Sequence, residues 1–279
     1  MVFTTIWWNV FNPFRSAGFP EKLDLHKEYK KDIYWLIILF VKLLKTISKH
    51  SLIILAGGFG TRLKSISNNV PKALMPIGDS IYLDLLLEKI FKNNINHVYL
   101  SLYYKPELFQ DYIKNSIYKN KLITITEPEP LGTGGAVSYV IKNSSISSPF
   151  FVMNGDSMSN INLKTMYTEF LGKKLSAMIG ITKVEDSERY GTVSSKDGKV
   201  MSFEEKGAEG SGWINNGVYI FKKDAFDEYS GPFSLENTLF QNLIQNQKLG
   251  AFKVEDDNFV DMEIPEDYEK LCNMYKKTK

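Results

Sequence analysis

The chain has 279 residues, with 34 Lys/Arg against 32 Asp/Glu, 43% hydrophobic residues and a single cysteine, Cys272. That length suffices for one sizeable α/β domain with a buried core plus a short appendage. Near-neutral charge gives no case for nucleic acid as a partner, and one cysteine excludes an internal disulfide or a Cys-based zinc site. Only three histidines are present, His26, His50 and His97, which argues against His-dependent chemistry.

The first fifty residues differ from the rest. They carry eight Lys/Arg against four Asp/Glu, leaving 26 against 28 for the other residues. Trp7, Trp8, Phe11, Phe14 and Phe19 show no clean period, but Ile33 to Val41 is an unbroken apolar run, continued by Leu43, Leu44 and Ile47. It reads as a helix that is apolar over most of its circumference. A membrane span needs roughly twenty such residues, and a signal peptide would place the run nearer Met1. The expectation is an N-terminal extension, residues 1–50, with an apolar helix that packs on the rest of the chain or a second copy or lies at a membrane surface. A start upstream of the working one is the remaining reading.

From Ser51 onward the pattern is regular. Ser51–Leu55 is a short apolar run stopped by Gly57 and Gly58, as expected of a buried parallel strand. Residues 80–93 read as a helix with a broad apolar face, 98–102 as a strand, 107–114 as a helix and 122–125 as a strand. A helix over 135–142 precedes a strand over 150–153. Strands alternating with helices at this spacing imply βαβ units and a mainly parallel sheet. Beyond Asp156 the texture becomes β-rich, with strand-like runs over 175–182, 191–195, 200–203 and 217–221. Helices over 234–247 and 265–276 complete the pattern.

The turn after the first strand reads Gly57-Gly58-Phe59-Gly60-Thr61-Arg62-Leu63. It is neither a Walker A loop nor G-x-G-x-x-G, because Leu63 stands where the last glycine belongs. Glycines let backbone N–H groups approach phosphate closely, and Arg62 adds a planar, permanently charged fork suited to phosphate oxygens. A plain strand-to-helix turn accounts for the glycines but not for Thr61 and Arg62 directly after them. Pro71 and Pro76 bracket Lys72 in a segment that cannot be a regular helix interior. Lys72 is a candidate second phosphate clamp, although alone it reads equally as a solvated lysine. Asp156 follows an apolar strand, at the edge where open α/β sheets bind ligands. Its plainer alternative is a helix cap.

The run Leu55 to Leu63 followed by Asn68 to Asp79 resembles the signature of the sugar-phosphate nucleotidyltransferases. Further segments follow in that family's order: Glu129 to Ala136, Asn154-Gly155-Asp156, Arg189 to Val193, Phe203 to Lys206, Ile214 to Tyr219, and Phe259 to Tyr268. The resemblance covers residues 51–272 and implies a Rossmann-like, mainly parallel but mixed sheet flanked by helices, with a β-rich sugar-side subdomain. It implies attack of a sugar 1-phosphate oxygen on the α-phosphorus of a nucleoside triphosphate. It assigns the triphosphate to Leu55, Ala56, Gly57, Gly58, Gly60 and Thr61, and the nucleobase to the backbone around Gly132 and Thr133. Asp156 and Asp261 become magnesium ligands. Arg62, Lys72 and Lys206 become the catalytic cations, with Lys206 gripping the sugar phosphate, and Tyr190, Gly191, Asn215 and Asn216 flank the sugar.

Such a transfer needs no protein nucleophile. It needs fixed positive charge and in-line positioning to bring two anions together, which suits a chain poor in His and Cys. Within the family the phrasing resembles most the D-glycero-D-manno-heptose 1-phosphate guanylyltransferases, implying GTP, a heptose 1-phosphate, a role in surface polysaccharide and a cytoplasmic location. A hexose, hexosamine or N-acetylmuramate 1-phosphate fits the same frame, as do UTP, dTTP and CTP. A catalytically silent, sugar-nucleotide-binding regulator is the reading from another class, opposed by the presence of all five charged residues. One departure stands out: Glu263 occupies a position where the family commonly has glycine, in the turn that carries Asp261.

Overall fold

The computed structural model describes residues 50–67, 69–93, 95–204, 210–255 and 258–276. The expected N-terminal helix and Lys206 therefore lie outside the described residues.

Strand β1 (Ser51–Leu55) is buried along nearly its whole length. It lies between β4 (His97–Leu102) and β6 (Phe150–Asn154), parallel to both, and β5 (Leu122–Thr126) extends the parallel set beyond β4. Its side chains alternate between two cores. Leu52 and Ile54 join one cluster, and Ile53 joins the other. Burial on both faces is why the run is continuously apolar rather than alternating.

Helices cover both faces. Below lie α1 (Tyr82–Phe91), α2 (Pro106–Asn115) and α4 (Leu163–Leu171), contributing Leu83, Leu86, Leu87, Phe109, Met166 and Phe170 to the first cluster. Helix α3 (Gly132–Lys142) supplies Val137 and Val140 to the second. The ends are marked chemically: Pro106 opens α2, and Asn162 caps α4 by accepting the Thr165 N–H at 3.0 Å.

The β-rich part continues the same sheet. Strands β8 (Ala177–Val184), β11 (Gly212–Phe221) and β12 (Leu249–Val254) join the hairpin β9 (Thr192–Lys196) and β10 (Lys199–Glu204). The full order is β5-β4-β1-β6-β11-β8-β12-β10-β9, nine strands in all. β11 runs antiparallel to both β6 and β8, so the sheet is mixed. Two short ladders stand apart, β2 (Pro76–Ile77) with β3 (Ser80–Ile81), and β7 (Ser157–Met158) with β13 (Val260–Asp261).

Three elements differ from expectation. β12 has no clear strand signal, since Gly250, Ala251 and Lys253 dilute it. A Cβ at Gly250 would lie 2.5 Å from Leu175 Cδ1, so a larger residue there would displace the Leu175 side chain. β11 begins at Gly212 rather than Gly217, and its pairing with β8 shifts between Asn215 and Tyr219, with Gly217 at φ +76°. The helix expected over 234–247 starts as a π-helical turn, Leu235–Phe240, and only then becomes α5 (Gln241–Gln245). The wider turn buries Leu235, Leu239 and Phe240 together. Helix α6 (Pro265–Tyr275) buries Leu271.

Phe240 is fully buried, with its ring centroid 5.5 Å from that of Phe203 and 5.6 Å from that of Tyr219. Phe240→Ala is expected to cost about 3–5 kcal/mol of unfolding free energy, measured by urea denaturation; a loss under about 1 kcal/mol would contradict this packing.

Candidate active site

The chain passes from β1 to β4 on one side, and later places β6 on β1's other side. The sheet therefore reverses its strand order at β1 and β6. The crevice outside the carboxyl ends of strands at such a reversal is where open α/β sheets bind ligands. Both strands end in a glycine-containing turn there.

After β1, Ala56 is buried and donates its N–H to Ser101 O at 3.0 Å, continuing the ladder by one bond. Gly57 runs so close to β4's exit that a Cβ would lie 3.1 Å from Tyr103 N. Around Gly58, by contrast, the space is open. Phe59 leans on Tyr103 and Tyr104. Gly60 adopts φ +58°, and a Cβ there would meet Lys72 Cγ at 3.0 Å. A 3-10 turn, Thr61–Leu63, follows, with Leu63 fully buried and Thr61 and Arg62 exposed. Burial of Leu63 fixes the turn and presents Arg62 outward.

After β6, the Gly155 N–H donates to Leu55 O at 2.9 Å, and a Cβ on Gly155 would lie 2.6 Å from that same oxygen. No other residue fits. The bond delivers Asp156 beside the glycine turn that follows β1. Asp261 arrives through β13, opposite Ser157, and the next N–H, of Met262, donates to Asp156 O at 2.8 Å. Lys72 Nζ reaches Asp156 Oδ2 at 3.0 Å. Arg62 forms an ion pair with Glu263. Four of the sequence-expected residues, Arg62, Lys72, Asp156 and Asp261, thus converge at one strand-end crevice.

The electrostatics follow from that crowding. Burial, then the neighbouring Asp156 carboxylate, pushes the Asp261 carboxyl up from 3.8 to about 7, with Lys72 pulling the other way. The Tyr82 hydroxyl lies under the same pair. It is buried with no hydrogen-bond partner among the described residues, and burial followed by the two aspartates raises its pKa well above 10.0. Two opposed carboxylates in a largely dry setting fit a hard divalent cation, which takes one or two protein carboxylates and fills its shell with water and phosphate oxygens. Among the described residues no cluster of three or more His, Cys, Asp or Glu competes as a metal centre.

The sugar-side assignments divide. Tyr190 faces Phe259 edge-on at 5.8 Å, and Arg189 binds Asp267 at 3.1 Å while donating to the Tyr190 hydroxyl at 3.1 Å. These contacts bring the Tyr190-Gly191 loop to the start of α6, beside Asp261. Asn216 is fully buried, its Nδ2 donates to Ser159 Oγ at 3.3 Å, and its Oδ1 accepts the Val218 N–H at 3.2 Å. Gly180 makes room for it. Asn215 likewise turns inward, donating to the Tyr219 hydroxyl at 2.8 Å and accepting the Gly217 N–H at 3.1 Å. Both asparagines brace the bulge in β11, and Asn215 stays half-buried. The Thr133 hydroxyl is also internal, donating to Glu236 Oε2 and accepting the Leu235 N–H, both at 2.8 Å. Gly132, at φ +70°, passes Phe233 O so closely that a Cβ would sit 2.7 Å away.

Sequence reasoning missed Glu127. Its carboxylate is buried beside Gly57, accepts from Ser101 Oγ at 2.9 Å and Leu131 N at 3.3 Å, and is shifted upward in pKa chiefly by burial. Nothing in the run Glu127-Pro128-Glu129-Pro130 distinguishes it from its exposed neighbour Glu129. His50 is remote from this chemistry, packed on Tyr167 with Nδ1 against Pro149 O. A groove of about 840 Å³ along α1 and α2, lined by Leu85, Leu108, Tyr112 and Ile117 among others, contains none of the convergent residues.

Fold and site together define a phosphate-handling α/β enzyme that works through charge and position. Residues 51–270 match the Nucleotidyl transferase family, and the chain belongs to it. The chain is 37% identical to D-glycero-alpha-D-manno-heptose 1-phosphate guanylyltransferase of Campylobacter jejuni over 220 residues, covering 77% of this chain and 96% of that one. It is 34% identical to the enzyme of the same name from Aneurinibacillus thermoaerophilus, covering 78% and 95%. Among solved structures it is similar to HddC from Yersinia pseudotuberculosis, with a TM-score of 0.73, 36% identity, and coverage of 81% of this chain and 100% of that one. HddC has also been solved complexed with GMP-PN.

The raised Asp261 pKa has a consequence for stability without metal. The fold binds a proton that the unfolded chain releases from about pH 4, so stability falls as pH rises from about 4 to about 7. Asp261→Asn is expected to remove that decline, read from thermal midpoints in chelator across this range. An unchanged pH profile would mean that burial and Asp156 do not hold the Asp261 carboxyl up.

Proposed function

We propose that the protein joins GTP to D-glycero-D-manno-heptose 1-phosphate and releases pyrophosphate, supplying a nucleotide sugar for surface polysaccharide. The observation that carries this reading is the placement of Asp156, Asp261 and Lys72 against the glycine loop at the strand-order reversal. The choice of base and sugar is supported by the similar proteins, whose names state guanylyl transfer to a heptose 1-phosphate.

A sugar phosphate oxygen, already anionic, forms the new bond to the α-phosphorus as the bond to the β-phosphate oxygen breaks, and pyrophosphate departs with that electron pair. Arg62 offsets charge on the triphosphate and leaving group, Lys72 lies on the same side, and Lys206 holds the sugar phosphate. Asp156 and Asp261 would hold Mg2+, which supplies charge neutralisation across the phosphate oxygens when bound. Main-chain N–H groups around Gly57, Gly58 and Gly60 line the triphosphate, and the open space at Gly58 leaves room for it. Glu127, beside Gly57, is an acceptor without a donor when ionised, which suits the N1–H and 2-amino donors of guanine. Tyr190 and Gly191 face the sugar.

Pyrophosphate release should be fastest for GTP with the heptose phosphate in a panel of four nucleoside triphosphates and several sugar 1-phosphates. Faster turnover with a hexose phosphate would overturn the sugar assignment, and no turnover with any pair would favour a silent regulator. Asp156→Asn should abolish metal-dependent turnover while leaving the circular dichroism unchanged. Glu127→Gln should narrow the preference for GTP over the other triphosphates by about tenfold, on the scale of one lost charged hydrogen bond; an unaltered preference would assign base reading elsewhere.

We place the enzyme in the cytoplasm, with residues 1–50 as an extension that meets a second copy or a membrane surface. Among the described residues no helix is long and apolar enough to cross a membrane. Deleting residues 1–48 and measuring oligomer size and liposome binding separates the two surfaces.

A further inference from the structure

In the described part of the crevice each expected phosphate-binding cation already has an anion. Lys72 is on Asp156, and Arg62 is on Glu263. The two pairs differ in what they do for the fold. Lys72 is the more enclosed cation, its stem lying along Gly60, and its partner belongs to the carboxylate pair that the β7–β13 ladder builds. Arg62 extends from an exposed turn with 62% of its side chain accessible, against 29% for Glu263. Among the described residues Arg62 is the side-chain partner of Glu263, while Met262 beside it is fully buried and supplies the anchoring bond to Asp156. The turn is therefore held without the Glu263 side chain. What that side chain contributes is a negative charge, two residues from Asp261, on the arginine that follows the glycine loop.

We propose that Glu263 is an intramolecular counter-anion that occupies Arg62 until the triphosphate displaces it, and so sets the enzyme's triphosphate affinity. The inference rests on the triphosphate reading of this crevice given above. Phosphate oxygens and a carboxylate both match the guanidinium fork, so they compete for one set of donors. Until exchange, Arg62 is held near its working position with its charge offset. After pyrophosphate leaves, the return of Arg62 to Glu263 favours release over rebinding. A glycine at this position leaves the arginine uncommitted, with tighter triphosphate binding and slower release.

The size of the effect follows from the exposure of the pair. Water-accessible ion pairs are weak and screened by salt, so the expected shift is modest. Glu263→Gln should bind GTP about two- to five-fold more tightly at low salt, measured by calorimetry with GTP and Mg2+ but no sugar phosphate. The gain should shrink toward unity at about 0.5 M salt. In steady state the same variant should show a lower KM for GTP with no rise in kcat. A purely structural Glu263 would give the opposite sign, weaker binding and a lower kcat. Equal or weaker binding of GTP by Glu263→Gln at low salt overturns the proposal and leaves the triphosphate reading in place. A gain that persists undiminished at high salt overturns it too, since the competition is then not electrostatic. Failure of the unsubstituted protein to bind GTP removes the reading and the proposal together.

Discussion

The contact between Gly155 and Leu55 governs the geometry of everything around it. Two neighbouring parallel strands end at the same level, and one main-chain bond of 2.9 Å joins the turn of the second to the last carbonyl of the first. A Cβ would lie 2.6 Å from that carbonyl, so the two turns can approach this closely only with glycine between Asn154 and Asp156. The glycine turn after β1 and Asp156 are thus placed relative to each other by backbone alone. Side chains at this crevice are left to deal with charge.

Charge is where the site is under tension. Asp156 and Asp261 are drawn together by a two-residue ladder, and burial compounds their repulsion. Lys72 relieves part of it from the side of the glycine loop. Arg189 adds a more distant positive charge while fastening the Tyr190 loop to Asp267 at the start of α6. On the proposed reading, a triphosphate arriving with a divalent cation would meet groups that already partner one another, so that binding would exchange partners rather than fill a positive cavity.

Much of this was legible in the sequence, and the limits of that legibility are physical. The apolar run Ser51–Leu55 stopped by two glycines identifies a strand buried on both faces and the loop after it. The same logic finds β6 and Asp156. Periodicity cannot see β7 and β13, because two residues make no period, yet they bring Asp261 to Asp156. Motif resemblance names residues but not the direction their side chains take. Asn216 and Thr133 stand in matching positions, but one closes a bulge and the other ties two loops together. Glu127 shows the reverse: its burial depends on Ser101 and Leu131, which only the fold brings to it. Glu263 is visible as a departure from pattern, but its partner Arg62 lies about two hundred residues away in the chain.

The position of β12 bears on how the molecule comes to exist. This strand lies between β8 and β10, pairing with β8 from Leu249↔Ala177 to Val254↔Thr182. β10 and β9 precede it in the chain but stand outside it in the sheet. On a ribosome, β1 to β6 and their helices can assemble while the far half waits with an unpaired edge on β8. Closure of that gap joins residues some seventy positions apart, a pairing that is slow because the intervening chain must first be ordered. Asp156 leaves the ribosome about a hundred residues before Asp261, so the second carboxylate is among the last parts of the crevice to be made.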